Sequence, residues 1–233
     1  MNLPVAILAG GLATRMHPLT KKIPKSLIQL AGDYFICHQL RYLHQQGITK
    51  VVLCVGHLGE QIEAVVGDGA AYGLKVLYSW DGDSLLGTGG ALKKASALLG
   101  DAFFILYGDS YLPVDFAAVE QIFYENNKSA LMTVFKNNNK WDISNVILEK
   151  NLILEYNKRQ PNAKMDYIDY GLSVISASAL QNYSAGEAFD LADLYQELSR
   201  QKKLIGYEVF ERFYEIGSME GLSEVVNRFK ISR

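Results

Sequence analysis

The sequence predicts an α/β fold, a doubly wound and mostly parallel sheet with a small appended β-rich lobe, and three observations predict it. Short continuous apolar runs, Val5 to Ala9, Val51 to Val55 and Ala102 to Tyr107, lack polar alternation, as strands buried on both faces do. Between them apolar residues recur at helical spacing across short connections, the order of elements that builds a parallel sheet. From about residue 140 the apolar runs shorten and polar residues interrupt them.

Taken in order, the Val5 strand ends in a double glycine, and Gly10 to Lys25 follows as a long loop, with two prolines and too many cations for a core. Ile36, Leu40 and Leu43 mark a helix closing before Gly47, and Val51 to Val55 is a second buried strand. A helix over Leu58 to Val66 places Ile62, Val65 and Val66 on one face, and Leu74 to Tyr78 is a third strand. Thr88 to Leu99 is helical after a glycine-rich entry, and the Ala102 strand runs directly into Gly108-Asp109-Ser110. A helix at 115–126 and a strand at 130–135 close the regular pattern. Beyond it lie strands Asn145 to Glu149, Leu152 to Tyr156 and Tyr170 to Ile175, then helices near 190–201 and 218–229, read as a lobe over the same edge of the sheet. Open α/β sheets bind ligands outside the carboxyl ends of their strands. The Gly10 to Lys25 loop and Asp109 converge on that edge.

The 233 residues, 49% apolar and 21% charged, suffice for one sizeable core and not for two ordinary domains, so a single domain is expected. Its composition excludes a largely disordered chain. No window reaches the run of about 20 apolar residues that a membrane span needs, and no basic segment precedes the first apolar stretch, so neither a span nor a secretory signal is expected. Cys37 and Cys54 have no paired spacing, which points away from a disulfide framework or zinc site and toward the cytoplasm. A net charge of −2 disfavours general nucleic-acid binding, which requires a broad basic face. The balance is local, however: Arg15, Lys21, Lys22, Lys25 and His17 all precede Asp33, the first acidic residue. A compact anion fits there.

Glycines directly after a strand let backbone approach a phosphorylated ligand, and Thr14 with the loop amides can donate to phosphate oxygens. Arg15 can grip phosphate with two donors, whereas Lys25, held after Pro24, offers a point charge. Together they make a triphosphate cradle, although the spacing matches neither the Walker loop nor the three-glycine dinucleotide loop. A merely solvated basic loop would explain the cations but not the ordered glycine, Arg and Pro-Lys elements. Asp109, ending the most apolar strand, needs water or a cation beside it.

The string GGLATRMHPLTKKIPKSL resembles the signature of the sugar-1-phosphate nucleotidyltransferases, usually GGxGTRxxPxTxxxPKxL, with Ala13 where a glycine is usual. The resemblance continues through Leu86-Gly-Thr-Gly-Gly-Ala-Leu92 and Tyr107-Gly-Asp-Ser110, and comes nearest the heptose-1-phosphate and mannose-1-phosphate guanylyltransferase branch. It implies a Rossmann-like nucleotidyltransferase fold, with 1–138 the nucleotide-binding core and 139–233 the acceptor-binding lobe and closing helices. It also implies Mg2+ as cofactor and as substrates an NTP, GTP first, and a hexose or heptose 1-phosphate. No nucleic-acid or membrane partner is expected, and a homo-oligomer is left open. By resemblance, Arg15 and Lys25 are catalytic, on the β/γ-phosphates and the α-phosphate. Leu8, Gly10, Gly11, Thr14 and Gly87 bind nucleotide, and Asp109 and Glu215 hold the metal. Asp109, Lys158, Asp169 and Gly171 bind the acceptor, Lys158 at the sugar phosphate. The chain departs from the family at Glu215, where Asp is usual, at Asn157, where an acid is usual, at Asp169-Tyr170-Gly171, where the family shows Asn-Ala-Gly, and at Asn145, where Gly is common. These changes cluster in the acceptor half, which keeps two alternatives open: a non-sugar acceptor such as phosphocholine, and a silent nucleotide or sugar-nucleotide sensor. A glycosyltransferase is disfavoured, since Asp109-Ser110-Tyr111 lacks the second acid of Asp-x-Asp. Trp80 reads either as packing or as a platform for a base.

Overall fold

The structure, a computed structural model, describes residues 3–231. Strand β1 (Val5–Leu8) leads into three short 3-10 turns within residues 14–27 and a small hairpin of β2 (Gln29–Leu30) and β3 (Asp33–Tyr34). Then come α1 (Phe35–Gln45), β4 (Lys50–Val55), α2 (Gly59–Val66), β5 (Lys75–Trp80), α3 (Gly87–Leu99) and β6 (Ala102–Tyr107). Each lies within a few residues of its sequence-based expectation, because each carries an unbroken apolar run or a clean helical stripe.

β7 (Ser110–Tyr111), α4 (Phe116–Asn126), β8 (Ala130–Lys136), β9 (Val146–Glu149), β10 (Leu152–Tyr156) and β11 (Tyr167–Ser176) follow. The chain closes with α5 (Leu191–Arg200), β12 (Leu204–Val209), β13 (Tyr214–Glu215) and α6 (Met219–Ile231). Nine strands form one sheet in the order β5-β4-β1-β6-β11-β8-β12-β10-β9. Val5 and Ile7 of β1 pack with α1, α2 and α4 on one face, while Ala6 joins α3 and α5 on the other. The winding is therefore double. A third cluster of Met16, Ile28, Phe35, Ile216 and Val225 pins the long loop to α6.

Two expectations are corrected. The sheet is mixed rather than mostly parallel: β5, β4, β1 and β6 are parallel, but β11 runs antiparallel to both β6 and β8. And the second half makes no appended lobe, because β11 inserts between β6 and β8 and β12, β10 and β9 extend the same sheet, leaving only β13 to pair apart with β7. The reason lies in β11 itself. Leu172, Val174 and Ile175 are wholly buried and fill the sheet centre, while the polar-interrupted Tyr167 to Gly171 stretch faces the ligand edge. β12 carries no strand signal in the sequence, since Gly206 and Glu208 break its apolar run, yet it pairs parallel with β8 over its whole length. Among the described residues no helix is long and apolar enough to cross a membrane.

Candidate functional site

Two cavities open at the carboxyl ends of the parallel strands and meet at Tyr107 and Asp109. The smaller, about 240 Å³, is walled by Leu8, Gly10, Gly11, Lys25 and Gly87, five of the residues expected at the nucleotide or its phosphates, and by Asp109, expected at the metal and the acceptor. The larger, about 600 Å³, takes Arg15, Asp109, Lys158, Asp169, Gly171 and Glu215. Thr14 is exposed and lines neither, and Arg15 is brought to the larger cavity rather than the nucleotide cleft. Trp80 packs beside Gly59 and Tyr78, outside both.

The strand ends are drawn together by backbone. Gly108 N–H donates to Leu8 O at 2.9 Å, and a Cβ on Gly108 would stand 2.9 Å from that same oxygen. Gly10 likewise lies against β4, where a Cβ would come 2.9 Å from Gly56 N. These glycines serve close approach, whereas Ala13 adopts φ 50°, ψ 39°, the left-handed region that explains why a glycine is usual there.

At the junction Lys25 Nζ donates to Asp109 Oδ2 at 2.5 Å, both side chains about a fifth exposed. β7 and β13 pair so that Glu215 lies opposite Ser110, and Ile216 N–H donates to Asp109 O at 2.9 Å. Glu215 is thus held beside the Asp109 turn. Its carboxylate accepts from Gly217 N–H and, at 2.6 Å, from the Ser218 hydroxyl. A Cβ at Gly217 would meet Glu215 Oε2 at 2.6 Å, Asp109 Oδ2 at 3.1 Å and Lys25 Nζ at 3.3 Å, so two carboxylates and an ammonium surround one glycine.

In the larger cavity β11 bulges between Asp169 and Ser173, with Gly171 at φ 105°. Asn145 Oδ1 accepts from Asp169 N–H, and Asp169 Oδ1 accepts from Gly171 N–H, both at 3.0 Å, so the departures at 145 and 169 hold one another. Burial lifts the Asp169 carboxyl to about 6, against the Gly171 hydrogen bond and the Lys158 charge. Because that value lies above the unfolded one of about 3.9, folding stability falls as pH rises between the two and the loss is complete at neutral pH. Asp169→Asn is expected to gain up to about 3 kcal/mol over the parent at pH 7, a difference that vanishes below pH 4 in urea titrations.

The glycine-rich entry of α3 divides in function. Gly87 lines the smaller cavity, but Gly89 N–H and Gly90 N–H donate to Phe189 O at 3.0 and 3.4 Å, and the Phe189 ring stacks on Tyr183. A Cβ on Gly89 would lie 2.1 Å from that ring. Gly89→Ala is therefore expected to cost about 1–3 kcal/mol by overpacking, measured by chemical denaturation, and to leave nucleotide affinity nearly unchanged.

Sequence reading missed three contributors. Gln39, buried on α1, donates to Tyr107 O at 3.0 Å and Ser110 O at 2.6 Å and so braces the Gly108-Asp109 turn. Ser26 lines the smaller cavity with a buried hydroxyl that has no partner among the described residues. Asp81, just beyond β5, lines it too, and burial raises its pKa. No spacing announces them; an acid directly after an apolar strand is the one available signal, and Asp81 shares it with Asp109.

The model of the nucleotidyl transferase family matches residues 5–142. The chain is 41% identical over 116 residues to N-acetylmuramate alpha-1-phosphate uridylyltransferase of Neisseria meningitidis, covering 49% of this chain and 50% of that one, so the match spans half of that relative. It is 26% identical to D-glycero-alpha-D-manno-heptose 1-phosphate guanylyltransferase of Campylobacter jejuni over 92% of this chain and 94% of that one. In fold it is similar to HddC of Yersinia pseudotuberculosis complexed with GMP-PN, with a TM-score of 0.76, 21% identity and 97% and 99% of the two chains covered. With a loop, a strand-end aspartate and two joined cavities of the expected kind, and a family model matched over more than half its length, the chain belongs to the nucleotidyl transferase family.

Proposed function

We propose that the protein transfers the nucleotidyl group of an NTP, GTP first, to a hexose or heptose 1-phosphate, giving an NDP-sugar and pyrophosphate. The observation that carries this is the meeting of two cavities at Asp109, with Lys25 bonded to it: one space for a nucleotide and one for a phosphorylated acceptor share a charged wall. The names of the two relatives given above, one matched over nearly its whole length and one over half, each specify a sugar 1-phosphate and support the acceptor class.

A phosphate monoester with its second pKa near 6 is already ionised at neutral pH, so no enzyme base is required. One of its oxygens bonds to the α-phosphorus as the bond from that phosphorus to the bridging oxygen of the β-phosphate breaks. Pyrophosphate carries away the electron pair. The difficulty is bringing two anions together in line, which positioning and neutralisation supply. Lys25 offers its ammonium to the α-phosphate, Gly10 and Gly11 admit the nucleotide's approach, and Lys158 holds the acceptor phosphate facing Asp169. Arg15, on the acceptor-side wall, reaches phosphate oxygens from there.

Asp109 and Glu215 are the residues that would hold a magnesium ion. They fit, since magnesium binds through one or two carboxylates completed by substrate phosphates and waters, and these two converge on Gly217. Among the described residues no group of three or more His, Cys, Asp or Glu forms a cage, and such a site needs none. Bound there, the ion would neutralise phosphate charge. Glu215→Ala is expected to raise the magnesium concentration for half-maximal pyrophosphate release about tenfold, the scale of losing one supporting ligand; an unchanged titration would remove Glu215 from that role. A cytoplasmic setting agrees with the free, buried Cys37 and Cys54.

A further inference from the structure

We propose that Asp81 reads the nucleobase, its carboxylate accepting the N1–H and N2–H donors of guanine, so that the smaller cavity selects GTP. This rests on that cavity being the NTP site, and it adds which base is taken and by which atoms.

Asp81 and Asp109 stand at opposite sides of the cleft. Each lies at the carboxyl end of a strand, β5 and β6, and the sheet order β5-β4-β1-β6 places three inter-strand steps between them. At about 4.8 Å per step this separates them by roughly 14 Å. Phosphates belong beside Lys25 and Asp109, which leaves base and ribose to extend toward Asp81. The surfaces on that side are Cys54, Leu85, Gly87, Thr88 and Ala91, mostly apolar or without a side chain, which suit the faces of a flat ring.

The carboxylate is held and yet underused. Asp81 N–H donates to Val55 O at 2.9 Å, extending the ladder between β5 and β4 by one residue. Its Oδ2 accepts from Leu86 N–H at 3.3 Å and lies 3.0 Å from where a Cβ on Gly56 would be, so the side chain is fenced in. Lys94 Nζ bonds the backbone oxygen of Asp81, at 3.2 Å, and not the carboxylate. Oδ1 has no protein donor and the carboxylate no ion pair among the described residues, although the residue is 9% exposed. Burial raises the pKa of this carboxylate, against the Leu86 hydrogen bond and the Lys94 charge, so its partial desolvation still carries a cost. Donors from a ligand would remove the cost.

Only one common base provides two adjacent donors. Guanine offers N1–H beside N2–H, a match to the two oxygens of a carboxylate. Uracil and thymine offer one N–H flanked by two carbonyl oxygens that a carboxylate repels; adenine and cytosine place a ring acceptor beside their amino group. A site built to accept hydrogen bonds rejects bases that cannot supply them, through the unpaired buried charge left behind. Since the relatives include both a uridylyl- and a guanylyltransferase, the base is set by this chain's own cleft.

The test measures kcat/KM for pyrophosphate release with GTP, ITP, UTP, dTTP, ATP and CTP, for the parent and for Asp81→Asn. The parent should prefer GTP over UTP, and over ITP, which lacks the N2 amino group, by about 10-fold to 100-fold, the worth of one charge-assisted hydrogen bond. In Asp81→Asn the GTP-to-UTP ratio should fall by about 100-fold or more, because the amide keeps one acceptor and gains a donor for a pyrimidine carbonyl. The comparison of GTP with ITP uses the parent alone and stands even if the variant does not fold. A parent that prefers UTP or dTTP, that fails to distinguish GTP from ITP, or whose folded variant keeps the parent's ratio would overturn the role of Asp81 while nucleotidyl transfer stood. Absence of pyrophosphate with every triphosphate would defeat the reading of the cleft itself, and this proposal with it.

Discussion

Lys25→Ala should lower kcat for nucleotidyl transfer by about 10²-fold or more, the scale of removing one preorganised charge stabiliser from a transition state. Lys25 is the cation fixed where the two cavities meet: Pro24 directs it, the 3-10 turn Lys25–Leu27 anchors it and Asp109 receives its ammonium at 2.5 Å. Both partners are partly solvated, so stability should change far less than rate. Arg15 gives the contrast. Exposed on the wall of the larger cavity, it is expected to affect acceptor KM at least as much as kcat. Steady-state kinetics on the two variants, with circular dichroism to establish folding, separates them. A folded Lys25→Ala protein with near-parental kcat would remove Lys25 from the chemistry.

Asp109→Asn should lower turnover by about 10²-fold to 10³-fold or more and remove the response to magnesium with it. The substitution keeps the side chain's shape and removes its charge. The backbone that shapes the turn is unaffected, since Gly108 N–H still meets Leu8 O and Ile216 N–H still meets Asp109 O. Activity that persists with an unaltered magnesium titration would place the metal elsewhere. Because Asp109 also loses its charge toward Lys25, the double variant Lys25→Ala/Asp109→Asn should cost much less than the two single losses combined.

How far the sequence could be read depended on whether a signal was local. β1, β4 and β6 were legible because unbroken apolar runs are buried on both faces, and the loop after β1 because its glycines, Arg15 and Lys25 lie within one stretch. The mixed character of the sheet was not legible: nothing in Leu172 to Ile175 states which neighbours it will take or in which direction. Glu215 shows the same limit for a site. The resemblance names it as a metal ligand, but nothing local to it states that it meets Asp109, and only the pairing of β13 with β7 places it there. Gly89 and Gly90 carry no ligand signal of their own, and their glycine character answers to the 187–189 segment packed against them. Asp81 follows an apolar strand as Asp109 does, but no motif surrounds it.

The most direct test is pyrophosphate release with magnesium across nucleoside triphosphates paired with phosphorylated hexoses, heptoses and small alcohols, the products identified by mass spectrometry. The expected result is release for an NTP with a hexose or heptose 1-phosphate, accompanied by equimolar NDP-sugar and dependent on both substrates. Tight NTP binding with no pyrophosphate from any pairing, or release with a small alcohol phosphate and no sugar phosphate, would contradict it.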